Sequence, residues 1–122
     1  MTVQKKLRIL RLMKLRNKKE LSETILALKK LKNKILEIDA LIDRLSEQSK
    51  HYTVTNGSSD VNNLHSKVIM SQKIIFETEK LKTELEKVMV DENFLKRKVE
   101  RCDAINKKID QKIGIEKSMV NS

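Results

Sequence analysis

Residues 28–45 read LKKLKNKILEIDALIDRL, and six positions in them, Leu28, Leu31, Ile35, Ile38, Ile42 and Leu45, repeat at alternating steps of three and four. All six are leucine or isoleucine. That spacing lays them along one narrow stripe of an α-helix, the pattern of a coiled-coil seam. With position a set at multiples of seven and d three residues later, the seam extends upstream through Leu7, Leu10, Lys14, Asn17, Leu21 and Thr24. Downstream it reaches Ser49 and Tyr52. A stripe this narrow is buried by a single partner helix. The chain supplies one: Leu81, Leu85, Val88, Glu92, Leu95, Val99, Cys102, Asn106, Ile109 and Ile113 follow the same steps, and eight of the ten are apolar.

Between the two seams lies the one strong break, residues 53–60 with the sequence TVTNGSSD. Its β-branched residues and the Asn56-Gly57 pair disfavour helix, and Ser59 or Asp60 can cap the next one. The expected fold is therefore all-α: a helix over about 3–52, a loop over about 53–60 and a helix over about 61–118, fraying near Gly114. Folding back about the loop sets Leu28 against Leu85, Ile35 against Thr78, Leu45 against Val68, and Leu10 near Cys102. Apolar residues then mostly meet apolar residues, which favours an antiparallel coiled-coil hairpin formed by one chain. Each arm would be ~75 Å long at ~1.5 Å per residue. A parallel dimer of extended chains is the competing architecture, because the same seams can pair between copies. The polar seam residues Lys14, Asn17, Glu92 and Asn106 weaken the half nearer the termini and are expected to fix register at a cost in stability.

Composition agrees with this reading. The 122 residues contain no proline or tryptophan, two glycines and only 2% aromatic residues, while 36% are charged. So few aromatics cannot fill an ordinary globular core, and one domain is the most that this length accommodates. Regularly spaced apolar residues, 39% of the chain, argue against disorder. A single cysteine, Cys102, forms no internal disulfide and suits a reducing compartment. Charges interrupt the basic N-terminal stretch LRILRLMKLR, so it lacks the apolar run of a signal peptide. No 18 consecutive apolar residues occur either, so the expected location is the cytoplasm, without membrane insertion.

The formal net charge is +10, and it is unevenly placed. Residues 1–19 carry eight basic side chains and no acidic one; residues 96–117 carry eight basic and four acidic. In a hairpin both segments lie at the end bearing the termini, giving a rod with one positive tip. That end also holds apolar residues that the seam does not use: Ile9, Leu12, Met13 and Leu15, beside a basic ridge of Arg8, Arg11, Lys14 and Lys18. Such a helix either makes extra core contacts behind a solvated basic face, or docks into a protein cavity, or lies on a membrane surface. Nucleic acid is not the expected partner, since the basic residues lack interleaved aromatics and no groove-reading module is present. A second surplus lies nearer the loop: Val68, Ile69, Met70, Ile74, Ile75 and Phe76, with Ala40, Leu41 and Tyr52 on the first helix. The simplest account is a locally widened core or a slip in the heptad. The alternative is a second docking face.

Catalytic chemistry is not expected, and neither a cofactor nor a metal ion is called for. His51 and His65 flank the loop without neighbouring cysteines or spaced carboxylates. Cys102 falls on the seam as a small apolar residue. Glu92–Lys96 and Asp103–Lys107 have the spacing of helix ion pairs. There is no phosphate-binding loop and no nucleophile–base pair.

In these features, and locally in Leu41-Ile42-Asp43 and the polar-basic run Phe94–Ile105 (FLKRKVERCDAI), the chain resembles the central-stalk family of type III secretion and flagellar export ATPases. Members are small, charged two-helix coiled coils, and the short length and Lys/Asn-rich composition suggest the virulence branch. The resemblance implies a stalk whose terminal end enters the pore of a hexameric ATPase and whose loop end contacts the export gate, with secretion chaperones as further partners. It implies ATPase contacts from Lys5, Arg8, Arg11, Leu12, Leu15, Lys18, Lys96, Arg97, Arg101, Lys107 and Lys108. The export-gate contacts implied are Leu41, Tyr52, Met70, Ile75 and Phe76. Two other readings stay open: a generic coiled-coil adaptor, and a basic helix pair that binds membrane or nucleic acid.

Overall fold

A computed structural model of the chain describes residues 2–54 and 61–120, and the side chains of residues 2–51 and 64–120. It contains two long helices, α1 (Val3–Val54) and α2 (Val61–Val120), packed against each other, with no strand among the described residues. Thr2 caps α1. Its hydroxyl accepts the Lys5 N–H at 3.2 Å and its carbonyl the Lys6 N–H at 3.1 Å, satisfying donors that the first turn leaves open. Each helix runs two residues beyond its expected end. Most of the expected loop, residues 55–60, lies outside the described residues, as does the Tyr52 side chain.

Gly114 does not end α2; the helix continues through it to Val120. A Cβ placed there would meet nothing within 4 Å, and no described glycine has a positive φ. Gly114→Ala is therefore expected to raise stability by about 0.5–1 kcal/mol, through the helix propensity gained and the unfolded-chain freedom removed. A thermal melt with an unchanged or lowered midpoint would contradict this.

The helices form two compact units. The terminal unit comprises Met1–Lys30 with Glu92–Ser122, and the loop-side unit comprises Leu31–Asp91. Pairing is antiparallel in each. In the terminal unit Lys14 pairs with Asp110, and Glu20 with Lys98 at 3.5 Å, so α2 descends as α1 rises. In the loop-side unit Lys34 meets Glu84 at 3.5 Å, while the later Leu45 lines a groove with the earlier Ile74.

Burial follows the seams closely. The most buried apolar residues are Cys102 and Ile109 in the terminal unit, and Ile38, Ile74 and Val88 in the loop-side unit. Leu10, Leu21, Leu28, Leu31, Ile35, Leu81, Leu85, Leu95 and Ile113 are half-buried seam neighbours. Even the best-covered described side chains keep some solvent contact, because one partner helix screens only one side of the stripe.

The register differs from the fold-back expectation by about two helical turns. Cys102 receives Asn17 rather than Leu10, seven residues further along α1, and Leu45 shares its groove with Ile74 rather than meeting Val68. The amide is the physical reason. Asn17 is buried and its Nδ2 donates to the Cys102 carbonyl at 2.8 Å. A slip of one heptad would set Asn17 against Leu95 or Ile109 in place of the smaller Cys102, with a bulkier side chain in front of the carbonyl, and an amide left buried without its bond costs about 1–3 kcal/mol. Two other polar seam residues are accommodated within their own helices. Thr24 donates its hydroxyl to the Glu20 carbonyl at 2.8 Å, and Glu92 pairs with Lys96 at 3.1 Å.

Candidate functional site

No described arrangement of side chains suggests chemistry. Cys102 is a buried free thiol within the seam, and among the described residues no group of three or more His, Cys, Asp or Glu side chains is placed to hold a metal ion. No described helix is long and apolar enough to cross a membrane. The features left to explain are surface features, one set on each unit.

Charge separates by unit. The terminal unit holds 18 Lys and Arg against 7 Asp and Glu, a net of +11; the loop-side unit holds 9 against 10, a net of −1, and the two restore the chain's +10. A field of one sign over one unit steers acidic partners to it.

Within the terminal unit, the structure brings six of the expected ATPase-contacting residues onto one face. Lys5, Arg8, Arg11, Leu12, Leu15 and Lys18 are all exposed and linked by steps of three and four, on the side of α1 turned from its seam. Leu12 is 59% and Leu15 64% exposed, so neither has been taken into the core. Extra core contacts, one of the readings of this segment, do not account for these residues. Lys14 leaves the expected basic ridge: it sits on the seam and pairs with Asp110.

Ile9 and Met13 also leave the Leu12–Leu15 face, lying further round α1. There Ile9, Leu10 and Ile115 line a groove of about 490 Å³ between Lys6, Lys112 and Glu116. One Glu116 oxygen, Oε2, is buried there without a hydrogen-bond partner, as is Asn106 Oδ1 on the seam. The five residues of α2 expected to contact the ATPase are exposed but spread. Lys96, Arg97 and Lys107 lie toward one flank of the helix, and Arg101 and Lys108, seven apart, toward the other. They widen the positive field rather than complete a single patch.

In the loop-side unit the expected widened core is absent. Of the six surplus residues only Ile74 is buried, while Val68, Ile69, Met70, Ile75 and Phe76 are exposed. The seam passes Lys67, Ser71, Ile74, Thr78 and Leu81 in unbroken steps, so there is no slip in the heptad either. The reason is geometric: a two-helix pairing has room for one stripe, and Ile74 already occupies it. Leu41 is exposed as well. Met70 lies with Arg44, Glu47, Gln48 and His51 around a shallow groove, on the other flank from Ile75. The residues expected to form one export-gate face thus divide between two flanks. Sequence reading missed the exposed pair Met89–Val90, which repeats Val68–Ile69 and Ile75–Phe76 on heptad spacing. The repeat itself was the signal, but attention to the seam masks it.

Compared with known proteins, the sequence matches no family model, no curated protein and no solved structure, so its function is argued from its own residues.

Proposed function

We propose that the chain is a non-enzymatic central stalk of a type III secretion export ATPase. The terminal unit enters the hexameric ring and promotes its assembly and turnover; the loop-side unit engages the export gate, and secretion chaperones are further partners. The observation that carries this reading is the terminal unit's charge of +11 combined with Leu12 and Leu15, which stand exposed among Lys5, Arg8, Arg11 and Lys18. A solvated basic face has no use for two exposed leucines, whereas a pore lined by acidic and apolar groups accepts both kinds of side chain. Two paired helices are also slender enough to pass into a ring.

The test is ATP turnover by the type III export ATPase of the same genome, with and without the purified chain. Stimulation is expected, and it should be lost in the Arg8→Gln/Arg11→Gln/Lys18→Gln variant. At roughly 0.5–1 kcal/mol per neutralised contact, three together weaken binding by about 10- to 100-fold. The Lys50→Gln/Lys67→Gln variant on the loop-side unit should stimulate like the native chain. Equal loss in both variants would remove the distinction between units, and no stimulation by the native chain would overturn the stalk reading. Salt separates phosphate-directed binding, which falls log-linearly with ionic strength, from a ring contact with apolar content.

A further inference from the structure

We infer that the terminal unit binds anionic phospholipid surfaces through one flank of its helix pair. This flank is not the Leu12–Leu15 face, so the inference goes beyond the stalk reading. On it α1 exposes Ile9 and Met13, and α2 exposes Ile105, Ile115 and Met119, each between 45% and 61%. Lys6 and Arg16 of α1 and Arg101, Lys108 and Lys112 of α2 stand exposed among them. The antiparallel pairing brings these positions to one side. Lys6, Ile9, Lys112 and Ile115 line the same groove, and the Lys98–Glu20 pair bridges the helices on that side further from the termini. Between that pair and the termini, no exposed described residue of the flank is acidic. Glu116 is half-buried on the groove floor.

The order of the side chains identifies the occupant. Along α2, Arg101, Ile105, Lys108, Lys112, Ile115 and Met119 follow one another in steps of four and three. Basic and apolar residues are thus interleaved, without the apolar centre and polar rim of a protein–protein interface. A bilayer boundary accepts this order. Isoleucine and methionine pass beneath the headgroups, while lysine and arginine bend their stems back and carry charge to the phosphates. The groove fits the same chemistry. It holds about 490 Å³, Leu10 lies in it with Ile9 and Ile115, and Lys6 on α1 and Lys112 on α2 stand at its two walls. An amphiphile with an anionic head satisfies both kinds of lining. Nucleic acid offers the phosphate but nothing for five exposed apolar side chains. The unit's 18 Lys and Arg against 7 Asp and Glu draw it to an anionic leaflet. No described helix is long and apolar enough to cross, so the contact is interfacial.

The experiment mixes the full chain with vesicles of phosphatidylcholine, alone or with about 30% phosphatidylserine, and follows co-sedimentation. The native chain should bind the anionic vesicles at least about tenfold more tightly than the neutral ones. Lys6→Gln/Lys112→Gln should weaken that binding by about tenfold. Ile9→Ser/Ile115→Ser keeps the charge and should weaken it by a similar factor, because apolar area is lost from the interface. A second measurement uses native side chains at those sites but one: an environment-sensitive dye on Ile115→Cys or on Leu15→Cys, each with Cys102→Ser. On anionic vesicles its emission should shift to the blue at position 115 and stay unchanged at position 15. Equal binding to both kinds of vesicle, full binding by both double variants, or a shift at position 15 alone would overturn the proposal. Duplex DNA bound as tightly as the vesicles, by the native chain and by Ile9→Ser/Ile115→Ser alike, would assign the flank to phosphate alone and overturn the lipid surface. ATPase turnover enters none of these readings, so the stalk reading stands or falls separately.

Discussion

Replacing Ile38 with alanine is expected to lower the unfolding free energy by about 2–4 kcal/mol, while Leu36→Ala, two residues away, changes it by less than about 0.5 kcal/mol. The two side chains are similar in size and share one helix, but Ile38 is 4% exposed and Leu36 66%. Removing Ile38 deletes buried methyl groups and leaves a space in a seam that has few other deeply buried apolar residues. Total stability for a chain of this kind is only several kcal/mol, so Ile38→Ala should place the urea midpoint near the edge of the folded range. Leu36 has nothing comparable to lose. Equal midpoints for the two variants would mean that the stripe beginning at Leu28 is not what holds α1 to α2.

That contrast marks what the sequence discloses. Steps of three and four from Leu28 pick out the buried side of α1, and the same steps from Leu81 pick out that of α2; the burial of Ile38, Val88, Cys102 and Ile109 follows them. Helix ends were legible to within two residues, because TVTNGSSD interrupts the pattern. The register was not legible. A seam that repeats every seven residues places apolar against apolar in several alignments, so hydrophobic matching alone does not choose among them. The choice hangs on a directional bond, Asn17 to the Cys102 carbonyl, and periodicity carries no information about direction. The docking faces were legible only as surpluses. Leu12 and Leu15, or Ile75 and Phe76, read equally well as extra core until the seam is seen to be full without them.

The same bond yields the second large expectation. Asn17→Leu should stabilise the chain against urea by roughly 1–2 kcal/mol, because a well-sized apolar side chain replaces a polar one on the seam. It should also loosen the choice of partner and alignment. Asn17 reaches the Cys102 carbonyl past a small side chain, and alignments slipped by a heptad set the amide against the bulkier Leu95 or Ile109, which penalises it. Leucine carries no such penalty, and an alignment slipped by a heptad, or a pairing between two chains, then differs little from the native one. Sedimentation should show dimers or larger species for Asn17→Leu where the native chain shows one, and cross-links between cysteines introduced at positions 45 and 74, which share a groove, should form less selectively with Cys102→Ser in both backgrounds. Thr24 offers the control. Its hydroxyl bonds within α1, to Glu20, so Thr24→Val should gain stability without losing uniqueness. If Asn17→Leu remained a single species with native cross-linking, the register would be held by the interhelical pairs Lys14–Asp110, Lys98–Glu20 and Lys34–Glu84, and reversing those charges would then shift it.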